Sequence, residues 1–364
     1  MNQVASKFAD GLAERRQVKS SQACLLATAL LPAAALAWPA AHLPALTDAQ
    51  AWKKLPAVLE GSGQQLPAWI RALADSLPKT AAAMIELDYA QRAENPLSPQ
   101  LRAKLRWIAA HANRCPYAMA YARADFVRAG GKSEDIDSLP NRIDKLPQKE
   151  RLALQLVRRL TLAAYEITDE QIARLAQLYG EKQLVAIVLV AAYANFQDRL
   201  LLALGVPVEA DGPLAPVKVR FAKPDPPAQT TAKGDPAKEP KKSPKRKLSP
   251  PAKNPPLVPK VVDDPEWTAI SFDSLQKRLA GQMKQRQARI PIPDWKTVKE
   301  RLPPGVPREK PMRIKWSLLN YGYQPRLAAA WIGGLRAFRQ ESDLDMLQQE
   351  SMFWVVTRSL QCFY

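Results

Sequence analysis

The chain has few histidine and cysteine residues. Among 364 residues there are two His and three Cys, which argues against a His-based metal site, and no Cys or His cluster has the spacing of a zinc site. If Cys24 leaves with an N-terminal leader, only Cys115 and Cys362 remain, too few for a disulfide framework. The sequence also lacks a phosphate-binding glycine loop and a Ser/His/Asp pattern, which argues against those enzyme classes.

A long apolar run is also missing. The apolar stretch near the N-terminus covers residues 23–37, and its fifteen residues are fewer than the roughly 20 that a membrane span needs, so we expect no stable membrane span. The stretch follows Arg15 and Arg16 and ends in Ala35-Leu36-Ala37, which favours a cleaved secretory signal within a leader of residues 1–45 and an exported or periplasmic protein. The alternative is an Ala-rich helix of a cytoplasmic protein.

The charge is strongly positive but unevenly distributed. The formal net charge is +18, and residues 222–262 hold ten Lys or Arg against three Asp or Glu in a Pro-rich segment without aromatic residues. Such a composition predicts a disordered linker, because it offers little apolar surface to bury. Its basic run could instead contact phosphates or anionic lipid. With no recognition helix or stacking aromatic motif, we predict no nucleic-acid partner.

The remaining sequence is rich enough in apolar residues to form cores, at 47% hydrophobic content. Helical periodicity runs from Trp52 to Gly205 and predicts an all-α fold, with 216–221 the longest candidate strand. One helix is expected over residues 99–130, with Pro116 kinking it or starting a new helix. Another, over 181–204, is apolar on all sides, which predicts burial in the domain centre or in a subunit interface.

An internal repeat is indicated by a constant spacing of 247 residues. Without a gap, this spacing pairs Cys362 with Cys115, Tyr364 with Tyr117, Trp354 with Trp107, Trp316 with Trp69, Pro325 with Pro78, and Ala328, Ala329 and Ala330 with Ala81, Ala82 and Ala83. The pattern predicts two related helical units. The first covers residues 46–221, and a partial, incomplete second copy covers 263–364.

Two segments carry a family resemblance. Residues 104–117, which end in Arg114-Cys115-Pro116-Tyr117, and residues 192–200, which read Ala-Tyr-Ala-Asn-Phe-Gln-Asp-Arg-Leu, resemble the carboxymuconolactone decarboxylase-like, or alkylhydroperoxidase D-like, family. The resemblance implies a helical bundle that forms homo-oligomers through apolar helices. For the peroxidase branch it implies peroxide as substrate, a dithiol reductant and no bound cofactor.

The resemblance also implies a site. In the peroxidase branch the motif is Cys-x-x-Cys-x-x-x-His with a Glu twelve residues before the first Cys. A thiolate attacks the peroxide O–O bond and becomes a sulfenic acid, and the other thiol condenses with it to a disulfide. In the family the second Cys of the motif is generally the attacker and the first resolves it. The Glu and His accept the thiol proton, since only the thiolate is nucleophilic.

This chain keeps only parts of that site. In the first unit Cys115 fills the first Cys position, whereas Ala103, Ala118 and Ala122 stand at the Glu, second Cys and His positions. The decarboxylase branch of the family also depends on the His, so the resemblance does not support that activity either. In the second unit Glu350 lies twelve residues before Cys362, as the motif requires. Two residues follow Cys362 in this sequence. We therefore expect an alkylhydroperoxidase-like protein that is catalytically impaired, or alternatively a non-enzymatic helical oligomerisation protein.

One further arrangement could be reactive. His111 precedes Cys115 by four residues, so on a continuous helix the two side chains share a face, and a neighbouring imidazolium lowers a thiol pKa. The alternative, which we favour, is a buried Cys beside a partly exposed His. The candidate catalytic residues are thus Cys115, His111, Glu350 and Cys362. A disulfide between Cys115 and Cys362 is conceivable in an exported protein.

Overall fold

The computed structural model describes residues 43–222 and 288–359, with a few positions between 271 and 281. Almost all of the leader (1–45) and of the linker (222–262) lies outside the described residues, as do Cys24 and Cys362. The expectations of a secretory signal, of a disordered linker and of a disulfide to Cys362 therefore stay predictions.

The all-α class is confirmed, because 68% of the structure is helical and the described residues form only two short strands. In the first part of the chain the helices are α1 Asp48–Lys54, α2 Ala68–Leu73, α3 Pro78–Tyr89, α4 Pro99–Asn113, α5 Pro116–Arg128, α6 Ser133–Asp137, α7 Leu139–Arg142, α8 Gln148–Ala163 and α9 Asp169–Leu204. A π-helical turn, Ala90–Glu94, extends α3, and 3-10 turns cover Ile143–Lys145 and Ala164–Glu166. The strands β1 Val58–Glu60 and β2 Arg220–Phe221 pair antiparallel.

The second part of the chain contributes four described helices. They are α10 Trp295–Arg301, α11 Lys315–Tyr323, α12 Pro325–Glu341 and α13 Met346–Ser359. Leu302, Tyr321 and Ala328 belong to a small buried cluster around Val298.

Local sequence signals explain where several helices begin. Thr47 and Thr168 each form a capping box with a Gln three residues on, which satisfies backbone N–H groups that no helical carbonyl can reach. Pro116 occupies the first turn of α5, where its missing N–H has no helical partner in any case. Inside α9, Gly180 has a positive φ of 72° and kinks the helix, as glycine can without a Cβ clash.

The core of the first part is built around α4, which packs on α5, α8 and α9. The apolar end of α9 is buried there through residues such as Ile187, Val190 and Tyr193. By length and composition α9 could span a membrane, but 72% of its apolar window lies inside the protein, and core helices share these properties. Of the two environments expected for this segment, the structure shows the domain centre.

The second part packs on the first mainly through α12 against α3. The two helices approach closely at Gly334, where a Cβ atom would lie 2.7 Å from Met84 Cε. Glu341, at the end of α12, accepts hydrogen bonds from the backbone N–H of Lys79 and of Thr80, both at 2.6 Å. Glu94, after α3, forms an ion pair with Arg326 at the start of α12. Each helix therefore directs a carboxylate to the first turn of the other.

The last helix, α13, is much more exposed than the others. Its large apolar side chains Met346 and Leu347 are 78% and 77% exposed. Met352, Phe353 and Val356 are also exposed. Since five adjacent positions, 352–356, are apolar, several sides of this helix present apolar surface to solvent.

Candidate functional site

Cys115 lies in the short connection between α4 and α5. Helix α4 ends at Asn113, because Arg114 adopts the left-handed conformation with φ 55° and ψ 43°. The Cys115 N–H then donates to the Ala110 carbonyl at 2.9 Å, and Cys115 becomes the N-cap of α5. The expected single helix over 99–130 is thus two helices, and the alternative in which Pro116 starts a new helix is the one that the structure adopts.

The Cys115 thiol is buried at the N-terminus of α5, with 1% of the residue exposed. Burial raises its pKa to about 12, although hydrogen bonds from the backbone N–H groups of Ala118 and Tyr117 lower it and the carboxylate of Asp198 raises it further. A helix N-terminus normally favours a thiolate. At this position desolvation outweighs that effect, so the neutral thiol is the stable form at neutral pH.

Asp198 of α9 lies near this thiol within a small polar group. The Asn113 side-chain amide donates to Asp198 Oδ2 at 2.8 Å and to Asn195 Oδ1 at 3.1 Å. Asn195 in turn donates to Thr161 Oγ1 at 2.9 Å. Burial raises the pKa of Asp198 to about 7, against the opposing effects of the Asn113 hydrogen bond and of Arg106 and Arg199. Asp198 can therefore exchange a proton at physiological pH.

The three motif positions that hold alanine are all inside the core. Ala103 is 1% exposed, Ala118 5% and Ala122 0%. Ala103 and Ala122 pack in the cluster around α4, α8 and α9, whereas Ala118 and Cys115 pack in the neighbouring cluster with Tyr117. A methyl group can neither accept a proton nor attack a peroxide, so these positions supply none of the motif's chemistry.

The other sequence-predicted residues are not brought to Cys115. His111 is exposed, and its ring stacks on Trp107 with ring centroids 5.0 Å apart. Because α4 ends between His111 and Cys115, the expectation of one continuous helical face is wrong, and the structure has a buried Cys with an exposed His. Glu350 is exposed on α13. Cys362, its predicted partner, lies outside the described residues.

A buried ionic network lies under α3, α4 and α5. The guanidinium of Arg92 is bonded to Asp88 at 2.9 Å and to Asp125 at 2.8 Å. Arg106 also contacts Asp125, at 2.7 Å, and the Tyr193 hydroxyl donates to Asp88 at 2.6 Å. Burial opposes ionisation of Asp125, but Arg92 and the neighbouring arginines prevail and lower its pKa. The pairing on all sides identifies this network as structural.

A second polar group involves the loop after α9. Glu209 is 8% exposed, and its Oε1 accepts from the Ala68 backbone N–H at 2.7 Å and from the Tyr117 hydroxyl at 2.8 Å. Tyr117 stacks on Tyr121 with centroids 4.6 Å apart. Glu209 thereby joins the start of α2 to α5, next to a cavity of about 330 Å³ that Arg71 also lines. Burial raises the pKa of both tyrosines, which therefore act as neutral donors.

A groove with a volume of about 580 Å³ lies between α8 and the first turns of α9. Its apolar wall includes Leu152, Leu156 and Leu162. Its charged rim consists of Arg158, Arg159, Arg174, Glu166 and Glu170. A groove of this composition suits an amphipathic helix better than a small polar ligand.

Sequence reasoning missed Asp198 and Glu209. Asp198 stands in the apolar helix α9, and a carboxylate within a buried apolar helix is a signal that could have been read. Glu209 follows a helix end in a loop and gives no such signal, because only the tertiary contacts with Ala68 and Tyr117 bury it.

Within residues 43–222 and 288–359, no group of three or more His, Cys, Asp or Glu side chains is placed to hold a metal ion. No protein-family model matches the chain, and no curated protein matches it significantly.

Proposed function

We propose that this chain is a helical interaction protein derived from an alkylhydroperoxidase D-like ancestor, and that it has lost thiol peroxidase catalysis. The observation that carries the proposal is the state of Cys115, whose thiol is buried with a pKa of about 12. With a pKa five units above neutral pH, only about one thiol in 10⁵ is ionised. A nucleophile in that state cannot attack a peroxide at a useful rate, since the thiolate is the reactive species.

The surroundings of Cys115 support the same conclusion. Peroxide reduction by the family motif requires a proton acceptor and a second thiol, which is generally the attacking one. Here the corresponding positions are the buried alanines Ala103, Ala118 and Ala122. His111 is exposed and stacked on Trp107, so it is not oriented toward the thiol by a carboxylate.

The repeat is also part of the proposal, and helix boundaries support it. The spacing of 247 residues that pairs Cys115 with Cys362 also separates the first residue of α1 from the first residue of α10, and the last residue of α1 from the last residue of α10. It also relates the starts of α2, α3 and α4 to those of α11, α12 and α13. The residues that precede α3 and α12 have nearly the same dihedral angles, φ −135° and ψ 59° at Leu77 and φ −137° and ψ 61° at Gln324.

The contacts between the two parts agree with a common origin. Glu94 and Glu341 are 247 residues apart, as are Lys79 and Arg326. Glu341 bonds the first turn of α3, and Glu94 bonds Arg326 in the first turn of α12. Equivalent residues thus make reciprocal contacts, as at a two-fold interface between two copies of one ancestral unit.

A second candidate function is peroxide reduction by Cys115 alone. One observation favours it: Asp198, with a pKa of about 7, lies close enough to influence the thiol and could accept its proton. The thiolate would take one peroxide oxygen and become a sulfenic acid, the alkoxide or hydroxide would leave, and a dithiol would reduce the sulfenic acid.

Peroxide consumption with a dithiol reductant distinguishes the two candidates. The variants are Cys24→Ser/Cys362→Ser, which retains only Cys115, and the same chain with Cys115→Ala. We expect both to consume peroxide at the background rate of the reductant. Turnover above background that disappears with Cys115→Ala would refute the loss of catalysis and establish a one-cysteine peroxidase.

A further inference from the structure

Helix α13 presents an apolar surface that a folded protein seldom leaves in water. Met346, Leu347, Met352, Phe353 and Val356 are between 54% and 78% exposed. Patches of this extent mark interaction sites.

The counterpart helix in the first part of the chain indicates what such a surface packs against. At the spacing of 247 residues, Phe353 and Val356 of α13 correspond to Arg106 and Ala109 of α4. Arg106 and Ala109 are buried, and α4 packs on α5, α8 and α9. A surface formed by packed helices is therefore the kind of partner that a helix in this position contacts.

The outer side of α8 and α9 offers a groove of that kind. It has a volume of about 580 Å³ and an apolar wall that includes Leu152, Leu156 and Leu162, of which Leu162 is 60% exposed. The groove is lined by α8 from Leu152 to Ala163, a length of about 18 Å, and the 14 residues of α13 span about 21 Å, so the groove can hold most of this helix.

The charges of the two surfaces are complementary. Residues 342–356 contain Asp343, Asp345 and Glu350 and no Lys or Arg, and the one basic residue of α13, Arg358, lies at its far end. The groove rim carries the exposed arginines Arg158, Arg159 and Arg174 against Glu166 and Glu170. Both glutamates lie near the turn between α8 and α9, whereas the arginines lie farther along these helices. The end of the groove away from the turn is therefore positive.

We propose that α13 of one chain docks into the α8/α9 groove of a second copy of this chain. On α13, Met346, Phe353 and Val356 recur at helical spacing and form the stripe that enters the groove. The acidic residues near the start of α13 face the groove arginines. This inference rests on the proposed interaction function and specifies the surfaces that carry it.

Such a contact joins two different surfaces, so it is heterologous. After two copies pair, one of them keeps a free groove and the other keeps a free α13, so association continues until a ring closes or a filament grows. A reciprocal contact of α13 with α13 would instead stop at a dimer.

The test is size-exclusion chromatography with light scattering on the full chain. We expect the unmodified chain to self-associate in a concentration-dependent way. Phe353→Glu/Val356→Glu, which charges the stripe, and Arg158→Glu/Arg159→Glu, which reverses the rim, are each expected to be monomeric. The matched controls are Leu59→Glu, at an exposed apolar residue of β1, and Lys53→Glu/Lys132→Glu, at two exposed lysines. Both controls should associate as the unmodified chain does.

Mixing the two monomeric variants provides the decisive measurement. The rim variant retains an intact α13 and the stripe variant retains an intact groove, so the mixture should form a one-to-one pair and nothing larger. A mixture that stays monomeric would refute the heterologous contact, as would an unmodified chain that is monomeric at all concentrations. If the unmodified chain associates and the stripe variant associates equally, this inference fails while the proposed interaction function stands. Circular dichroism on each variant excludes unfolding as the cause.

Discussion

The carboxylate of Glu341 accepts two hydrogen bonds from Thr80, one from its backbone N–H at 2.6 Å and one from its hydroxyl at 2.8 Å. These residues are 261 positions apart and belong to the two parts of the chain. The side chain that ends α12 therefore supplies the N-terminal cap that α3 lacks in its own sequence, where Leu77 precedes the helix without a capping side chain.

Replacing this cap should destabilise the protein. We predict that Glu341→Ala lowers the free energy of unfolding by about 1–2 kcal/mol, because the N–H groups of Lys79 and Thr80 lose a charged acceptor. Urea unfolding followed by circular dichroism measures the change. Glu300→Ala, at an exposed helical glutamate of α10, is the matched control and should remain within about 0.5 kcal/mol of the unmodified chain. Equal losses in both variants would contradict the capping role.

Asp198 should make stability depend on pH. Its folded pKa is about 7, above the roughly 3.9 of an unfolded aspartate, so between these values the folded state binds more protons. Its contribution to the free energy of unfolding is therefore greatest below pH 4, falls as the pH rises through 7, and is constant above that. We predict a loss of about 2–4 kcal/mol over this window from Asp198.

Asp198→Asn isolates this effect, because an amide oxygen still accepts from Asn113 but carries no titratable charge. As the pH rises from 5 to 8, the free energy of unfolding of the variant should therefore increase relative to that of the unmodified chain. A pH-independent difference would show that Asp198 titrates normally.

Cys115 should react slowly with alkylating agents. In the Cys24→Ser/Cys362→Ser background we predict that iodoacetamide modifies Cys115 at pH 7 at least ~100-fold more slowly in the folded chain than in urea, since burial and the raised pKa both suppress the thiolate. Mass spectrometry of quenched samples gives the rates. Adding Asp198→Asn should lower the pH at which modification accelerates, because a negative charge near the thiol is removed. Rapid modification of the folded chain at pH 7 would refute the buried, neutral thiol.

The Arg92 network should be sensitive to removal of its central cation. We predict that Arg92→Leu costs about 3–5 kcal/mol, since Asp88 and Asp125 lose a buried partner. The matched control is Arg123→Leu, which breaks the exposed pair with Asp137 and should cost less than about 1 kcal/mol. Urea denaturation of both variants gives the two values. A small effect at Arg92 would mean that water reaches these carboxylates.

Much of the helical pattern could be predicted from particular residues. The helical periodicity from Trp52 to Gly205 and the apolar segment 181–204 correctly predicted helices, and Thr168 with Gln171 is the local signal at the start of α9. These signals are local, because capping and helix periodicity depend on residues within one or two turns. The end of α4 was missed because Arg114, a non-glycine residue, takes the left-handed conformation there.

The candidate site was less predictable than the helices. The alanines at 103, 118 and 122 could be read directly as missing chemical groups. The exposure of His111, the burial of Cys115 and the proximity of Asp198 could not, since they depend on how α4, α5 and α9 pack.

By itself, then, the sequence determined the helical class, the burial of the apolar segment 181–204 and the presence of alanine at positions 103, 118 and 122, because each of these follows from residue type and short spacing. Only the tertiary structure decided that Cys115 is a neutral thiol, that Glu341 caps a helix 261 residues away from it and that α13 exposes its apolar surface. Desolvation and long-range contacts produce these properties, and neither is set by local spacing along the chain.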